Sequence, residues 1–136
     1  MKEDVVARQM IILLIKKGNL KLALEIFSFF KPANELVVEK LISALVEQHG
    51  YGKEILKIRE DLGQPLREEE AEEIILPYLD EKDPHRPPDY YNVPLDVIRA
   101  AKKITVMRFL ELALKDKRGG NERLKEELYY ILKSKM

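Results

Sequence analysis

The sequence predicts an all-α protein, an irregular bundle of six or seven helices built from αα-hairpins. Apolar residues recur at helical spacing along most of the chain. Residues that break helices, above all Gly and Pro, stand between the apolar segments. No stretch shows the sustained period-two alternation that indicates strands.

The most apolar stretch runs from Val5 to Phe30 and predicts an αα-hairpin. At about 100° per residue, apolar side chains point in nearly every direction on the helix before Gly18, and over about 220° on the helix after Asn19. Gly18 favours the left-handed conformation that ends a helix, and Asn19 is suited to cap the next one. Because a helix that is apolar all round is buried on several sides, further helices or other subunits must cover this hairpin.

Two more helices are predicted before residue 65. A third, at about 33–48, carries an apolar face that includes Val37 and Leu41. A fourth, at about 53–62, is expected to end at Gly63.

A fifth helix is predicted at about 67–76, with a run of glutamates in its first turns. Pro65 is suited to its first position, because proline lacks the N–H that a first turn leaves unused. Pro77 is expected to stop or kink the helix at Leu76.

The segment 80–94 contains four prolines and is the clearest boundary in the chain. We therefore predict a single domain over 1–136, in which this connector joins a helical 1–79 portion to a two-helix 94–136 portion.

The two helices after the connector are predicted from their apolar faces. The sixth is expected to run from about Pro94 to Lys117, with an apolar face that changes side near Thr105. Gly119 and Gly120 are expected to end it, and Asn121 to cap the seventh helix.

The composition excludes some classes of protein. The chain has no cysteine, which excludes disulfides and thiolate chemistry. Its longest unbroken apolar run, Met10–Ile15, is far shorter than the roughly 18 residues of a membrane span. We expect a cytoplasmic protein with no signal peptide and no membrane partner. Abundant Lys and Glu with few Gln, Asn, Ser and Thr are typical of proteins from very hot environments.

The charges are distributed unevenly, although 24 basic and 24 acidic residues give a formal net charge of zero. Residues 60–83 hold ten acidic against two basic side chains, whereas residues 95–136 hold eleven basic against six acidic ones. An acidic block therefore precedes a basic carboxy-terminal third.

One part of the chain resembles a known class of helical repeats. The segment KKGNLKLALEIF at 16–27 is similar to the turn region of tetratricopeptide and pentatricopeptide repeats, with Ala23 as the small residue where two helices approach. Gly50 repeats Gly18 at a distance of 32 residues. The resemblance covers residues 10–58 and implies a short repeat-like arrangement with a concave face for peptide or RNA. Repeat proteins need three or more units, and no third copy follows, which favours two αα-hairpins in an irregular bundle.

No recognisable catalytic, metal-binding or cofactor-binding motif is present. His49 and His85 are the only histidines, and no HExxH or paired ExxH spacing occurs. The carboxylates between Glu68 and Glu73 can in principle bind metal or transfer protons, but they are most simply the solvated start of a helix. A lone GxG at 50–52 lacks the preceding strand of a phosphate-binding loop. We expect no enzyme, no cofactor and no metal, and no small-molecule substrate is evident.

These observations favour a non-catalytic helical module for protein interaction or assembly that associates with copies of itself. The apolar surplus of the first hairpin must be covered, and Phe29 and Phe30 stand at its outer end beside the turn at Pro32. We expect one of these two residues at a subunit or partner contact, since soluble monomers rarely expose large apolar patches.

The alternative is a structural protein that binds nucleic acid, of the DNA-coating, RNA-coating or virion type, through its basic carboxy-terminal third. Basic side chains beside aromatic rings can hold phosphates and stack bases. If the sixth helix is continuous, its first basic residues share one side of it. The same residues also fit an ordinary solvated face. The candidates are Arg86, Tyr90, Tyr91, Arg99, Lys102 and Lys103.

Overall fold

The computed structural model describes residues 2–32, 34–87, 89–118 and 121–136. Within these ranges all regular elements are helical, which confirms the predicted all-α class. The α-helices are α1 (Lys2–Lys16), α2 (Leu20–Phe30), α3 (Glu35–Gln48), α4 (Gly52–Asp61), α5 (Glu68–Leu79), α6 (Leu95–Ala100), α7 (Lys103–Lys115) and α8 (Glu122–Ser134). A short 3-10 helix, Tyr90–Asn92, precedes α6.

The described residues pack into two compact units, Met1–Pro65 with α1 to α4 and Leu66–Met136 with α5 to α8. The connector predicted at 80–94 lies inside the second unit, where α5 packs against α6 and α7. The expectation of a single domain over 1–136 stays a prediction.

In the first unit, α1 packs against α2 and α3, and α3 also contacts α2 and α4. Gly18 has a φ of 75°, and the Asn19 Oδ1 accepts a hydrogen bond from the Leu22 amide at 3.3 Å. The predicted hairpin and both of its signals are therefore confirmed. The buried apolar side chains of this unit are Ala7, Ile11, Leu20, Ala23, Phe27, Val37, Val38, Leu41, Ile42, Leu45, Ile55 and Ile58.

A buried arginine joins two helices of the first unit. The Arg59 guanidinium donates a hydrogen bond to Oε1 of Gln64, and its Nη1 lies 3.8 Å from the Glu35 carboxylate. Because a buried charge without partners is costly, these contacts stabilise the packing of the end of α4 near the start of α3.

In the second unit, α7 packs against α5 and α8, while α6 also contacts α5 and α8. The core of this unit is formed mainly by Ala71, Ile74, Ile75, Tyr78, Leu79, Tyr90, Val93, Val97, Ile98, Ala101, Val106, Phe109, Ala113, Leu128 and Ile131.

The prediction of one continuous sixth helix is wrong. Ala101 and Lys102 adopt extended backbone angles and separate α6 from α7. The Glu72 carboxylate on α5 accepts hydrogen bonds from the Lys102 amide at 3.1 Å and from the Thr105 hydroxyl at 2.6 Å. Glu72 thus caps the start of α7 from another helix, which satisfies an amide that would otherwise be unpaired. The glycines expected to end this helix, at 119 and 120, lie outside the described residues.

The prediction that Pro65 takes the first position of the fifth helix is wrong, and Pro77 does not stop the helix. The helix begins at Glu68 with Arg67 as its N-cap, so that Pro65 lies outside it. The Glu70 carboxylate accepts a hydrogen bond from the Arg67 amide at 3.0 Å, as in half of a capping box. Pro77 lies in the last turn of the helix and removes one backbone hydrogen bond there. The helix nevertheless continues for two more residues, because both of them are buried and their packing stabilises it.

Replacing Glu72 by Ala is expected to lower the free energy of unfolding by about 1–2 kcal/mol, because it removes the cap of α7. Urea denaturation measures the change. Glu73→Ala is the matched control, since Glu73 is exposed on the same helix and has the same helix propensity. Equal effects of the two substitutions would show that Glu72 does not act as a cap.

Candidate functional site

The first hairpin holds much of the exposed apolar surface of the molecule. Among the described residues, sixteen large apolar side chains are exposed, and seven of them belong to α1 and α2. The expectation that further helices or other subunits cover the whole of this hairpin stays a prediction, because the helices of this unit leave one side of α1 open. Its packing against α2 and α3 buries Ala7 and Ile11, while Val6, Met10 and Leu13 face solvent.

The exposed apolar residues of α1 follow a regular spacing. Val6, Met10 and Leu13 stand at i, i+4 and i+7 and therefore share one side of the helix. On α2, the exposed Leu22 and Phe29 have the same seven-residue separation. This is the spacing by which helices bury an apolar seam against another helix.

An apolar groove lies between the start of α1 and the end of α2. It has a volume of about 460 Å³ and is lined by Glu3, Val6, Ala7, Met10, Phe29 and Phe30. Phe29 is 82% exposed and Phe30 is 39% exposed, and their rings meet edge to face with centroids 5.0 Å apart. Both residues predicted as interface candidates therefore line the same groove, although the contact itself stays a prediction.

The end of α2 determines where these two rings lie. The Lys31 amide donates a hydrogen bond to the Phe27 carbonyl at 2.7 Å, and Lys31 takes the left-handed conformation with a φ of 46°. Phe27 faces the core, and Phe29 and Phe30 follow it in the last turn on other sides of the helix. A phenylalanine as exposed as Phe29 has no stabilising role in the core of this unit.

The nucleic-acid candidates do not form one continuous helical surface. Arg99 lies at the end of α6 and pairs with Asp96 at 2.5 Å, while Lys102 and Lys103 stand at the start of α7 after the break. All three basic residues are exposed. The premise that they share one side of a single helix is wrong, because α6 ends at Ala100 and α7 begins at Lys103.

Tyr90, a nucleic-acid candidate that would have to be exposed to stack on a base, is buried. Its ring is 4% exposed and packs edge to face against Phe109, with centroids 5.7 Å apart. Its hydroxyl donates a hydrogen bond to Asp116 at 2.7 Å and accepts one from the Asn121 amide group at 2.9 Å. Asn121 stands at the N-cap of α8, but its side chain makes no cap bond and contacts Tyr90 instead.

Asp116 and Arg118 extend this contact to the surface. The Arg118 guanidinium makes bonds of 2.9 and 3.0 Å to the Asp116 carboxylate and lies 5.3 Å from the centre of the exposed Tyr91 ring. Tyr91 also donates a hydrogen bond to Asp89 at 3.0 Å. Sequence reasoning missed Asp116 and Arg118, since two charged residues in a segment after a helix match no motif that predicts a contact.

The contact network determines the protonation of its members. Hydrogen bonds from Arg118 and from the Tyr90 hydroxyl hold the pKa of Asp116 well below its usual range. Burial, together with the hydrogen bond to Asp116, raises the pKa of Tyr90. At neutral pH the carboxylate is therefore ionised and the phenol is neutral, and the pair acts as a fixed hydrogen bond between segments.

The other candidates lie apart from these two regions. His49 is the C-cap of α3, as expected, and His85 is exposed in a turn. The glutamates at the start of α5 include Glu70 and Glu72, which cap helices rather than only face solvent. The described residues contain no cluster of three or more His, Asp or Glu side chains placed to bind a metal.

Two further observations bear on the class of protein. No helix in the described part of the chain is long and apolar enough to cross a membrane. Comparison with protein-family models, with curated proteins and with solved structures found no match to this chain. The resemblance to helical repeats over residues 10–58 therefore stays a prediction.

Replacing Asp116 by Asn is expected to destabilise the protein above about pH 4 and to have a smaller effect at lower pH. In the unfolded chain an aspartate titrates near about pH 3.9. Folded Asp116 stays ionised to lower pH, so its stabilisation is fully present above the unfolded pKa and is lost as the pH falls through the folded pKa. Urea denaturation of both proteins at pH 7 and pH 3 measures the difference.

The control for this prediction is a direct titration of the Asp116 carboxyl by NMR. The Arg118→Gln variant is expected to raise the pKa of Asp116 toward its usual range, whereas Arg123→Gln, at an exposed residue of α8, is expected to leave it unchanged. An unchanged pKa in the Arg118→Gln variant would contradict the assignment of the cause.

Proposed function

We propose that this chain is a non-catalytic assembly module that associates with a second copy of itself through the groove between α1 and α2. The observation that carries the proposal is the 82% exposure of Phe29 beside a groove with apolar walls. A soluble protein rarely leaves such a surface uncovered, and burial of an aromatic ring is a large favourable term in association.

A second copy is the occupant that this surface favours. The same patch holds a projecting ring, Phe29, and a recess beside Val6 and Met10. In a two-fold dimer each copy presents the same patch, so that residue i of one contacts residue j of the other and the reverse also holds. Phe29 of each copy can therefore enter the groove of the other without any further partner.

The spacing of the exposed residues favours the same occupant. An apolar seam at i, i+4 and i+7 is covered by another helix with a matching seam. A second copy supplies two such helices, and two αα-hairpins that face each other form a four-helix arrangement.

The charge balance is compatible with self-association. The formal net charge of zero leaves little long-range repulsion between two copies near neutral pH. Among the described residues that line the groove, only Glu3 is charged. Apolar contact therefore dominates the proposed interface.

Binding of nucleic acid is the second hypothesis, and it has less support. Exposed Lys102 and Lys103 can contact phosphate, but Tyr90 is buried and Arg99 is paired with Asp96. The exposed Tyr91 ring lies beside Arg118, which is itself paired with Asp116. We keep nucleic-acid binding as the second hypothesis, because its expected salt dependence differs from that of self-association and can be measured.

Replacing Phe29 by Glu is expected to convert the dimer into a folded monomer. A buried interface aromatic is typically worth about 2 kcal/mol or more, which corresponds to a dissociation constant raised by about thirtyfold or more. Because Phe29 is exposed in the single chain, its replacement leaves the core intact. Light scattering coupled to size-exclusion chromatography gives the mass, and circular dichroism gives the helix content.

Leu114→Glu is the matched control, since Leu114 is an exposed apolar residue on α7 that does not line the groove. Met10→Glu, on the opposite wall of the groove, is expected to act like Phe29→Glu. A wild-type protein that is monomeric at high concentration would contradict the proposal, as would unfolding of the Phe29→Glu variant.

The dimer is expected to persist, or to strengthen, between low salt and about 1 M salt, where charges are screened within about 3 Å. Binding to single-stranded or double-stranded nucleic acid would weaken steeply over the same range, because phosphate contacts release counterions. Mass measurements and a gel-shift assay in the same salt series distinguish the two hypotheses.

A further inference from the structure

A cleft in the second unit shares no lining residue with the groove proposed for self-association. It has a volume of about 360 Å³ and lies between the end of α5, with the segment that follows it, and the end of α7. Three basic and two acidic side chains line it, together with the tyrosine and apolar residues of its walls. Its lining therefore carries a formal charge of +1, which favours an anion.

Two of the three basic residues are already paired. Arg118 is held by Asp116, and Lys115 lies 3.7 Å from Glu81 and 3.2 Å from Glu111. These contacts also neutralise both carboxylates of the lining. Arg86 is the basic residue of the described lining that has no carboxylate within ion-pair distance.

The Arg86 side chain has an unsatisfied hydrogen-bond donor. Its Nη1 is buried from solvent and has no hydrogen-bond partner among the described residues. A buried guanidinium N–H without an acceptor is unfavourable, and buried donors in folded proteins are nearly always paired. Arg86 lines the cleft, so a rotation of its guanidinium toward the cleft would pair this donor with an acceptor bound there.

We propose that this cleft binds a small organic oxyanion, a phosphate monoester or a carboxylate, through the guanidinium of Arg86. The planar fork of arginine matches the two oxygens of either group. The volume is at the lower end of the range of about 300–1,000 Å³ that is typical of small-molecule sites. The cleft therefore accommodates one small group with a single ring rather than an extended chain.

The walls of the cleft suit the organic part of such a ligand. Tyr78 and Leu112 line it and offer apolar contact. Burial raises the pKa of Tyr78, so that its hydroxyl stays protonated at neutral pH and can donate to an oxyanion.

The test uses the full chain, labelled with nitrogen-15, and two probes of similar shape, phenyl phosphate and benzoate. Each is titrated at constant ionic strength, with sodium chloride as the reference salt. Saturable shifts of the Arg86 Nε–H signal beyond those caused by sodium chloride are expected. A stronger response to phenyl phosphate identifies a phosphate site, a stronger response to benzoate identifies a carboxylate site, and equal responses support a general oxyanion site.

Substitutions of Arg86 determine whether the shifts report this contact. Arg86→Gln is expected to weaken binding by about tenfold or more, because a charge-assisted hydrogen bond is lost. Arg86→Lys keeps the charge without the fork and is expected to bind with intermediate strength. Arg99→Gln, at an exposed arginine away from the cleft, is expected to bind like the wild type.

Two results would overturn the proposal. One is the absence of a saturable shift with both probes, and the other is wild-type affinity in Arg86→Gln. If Arg86→Gln does not fold, the wild-type titration and Arg86→Lys decide the question. The proposal is independent of self-association, since the residues changed in the groove do not line the cleft.

Discussion

The first unit depends on how the apolar surface of its hairpin is covered. Two neighbouring helices bury the side of α1 that carries Ala7 and Ile11, and they leave the side with Val6 and Met10 open. The same helix thus holds the core together and exposes an apolar seam. A polar face at these positions would have removed the seam without loss of the core, which is why we connect the seam with assembly rather than with folding.

The second unit is organised differently, by polar side chains that join distant segments. Glu72 links α5 to α7, and the Tyr90 hydroxyl links the segment before α6 to the turn after α7. The hydrogen bonds of Thr105 to Glu72 and of Tyr90 to Asp116 are partly withdrawn from water, which strengthens them. They leave Arg86 as the basic residue of the nearby cleft whose hydrogen bonding is incomplete.

Local pattern was sufficient to predict the fold class, the bounds of α2 and the turn at Gly18. These features depend on side chains within a few residues of each other. Periodicity also identified the apolar residues of α1, but it does not tell which side a neighbour covers, so the open seam was missed. The break before Lys103 and the burial of Tyr90 depend on partners 26 to 33 residues away, and no local signal reports them. Phe29 and Phe30 were predicted as uncovered, and they line the groove.

The cap that Glu72 places on α7 connects the stability of two helices. The Lys102 amide has its acceptor on α5, so its proton can exchange with solvent only when that contact opens. Fraying at the start of α7 and displacement of the middle of α5 therefore both open this contact. The exchange rate of one backbone amide thus reports the integrity of a helix to which that amide does not belong.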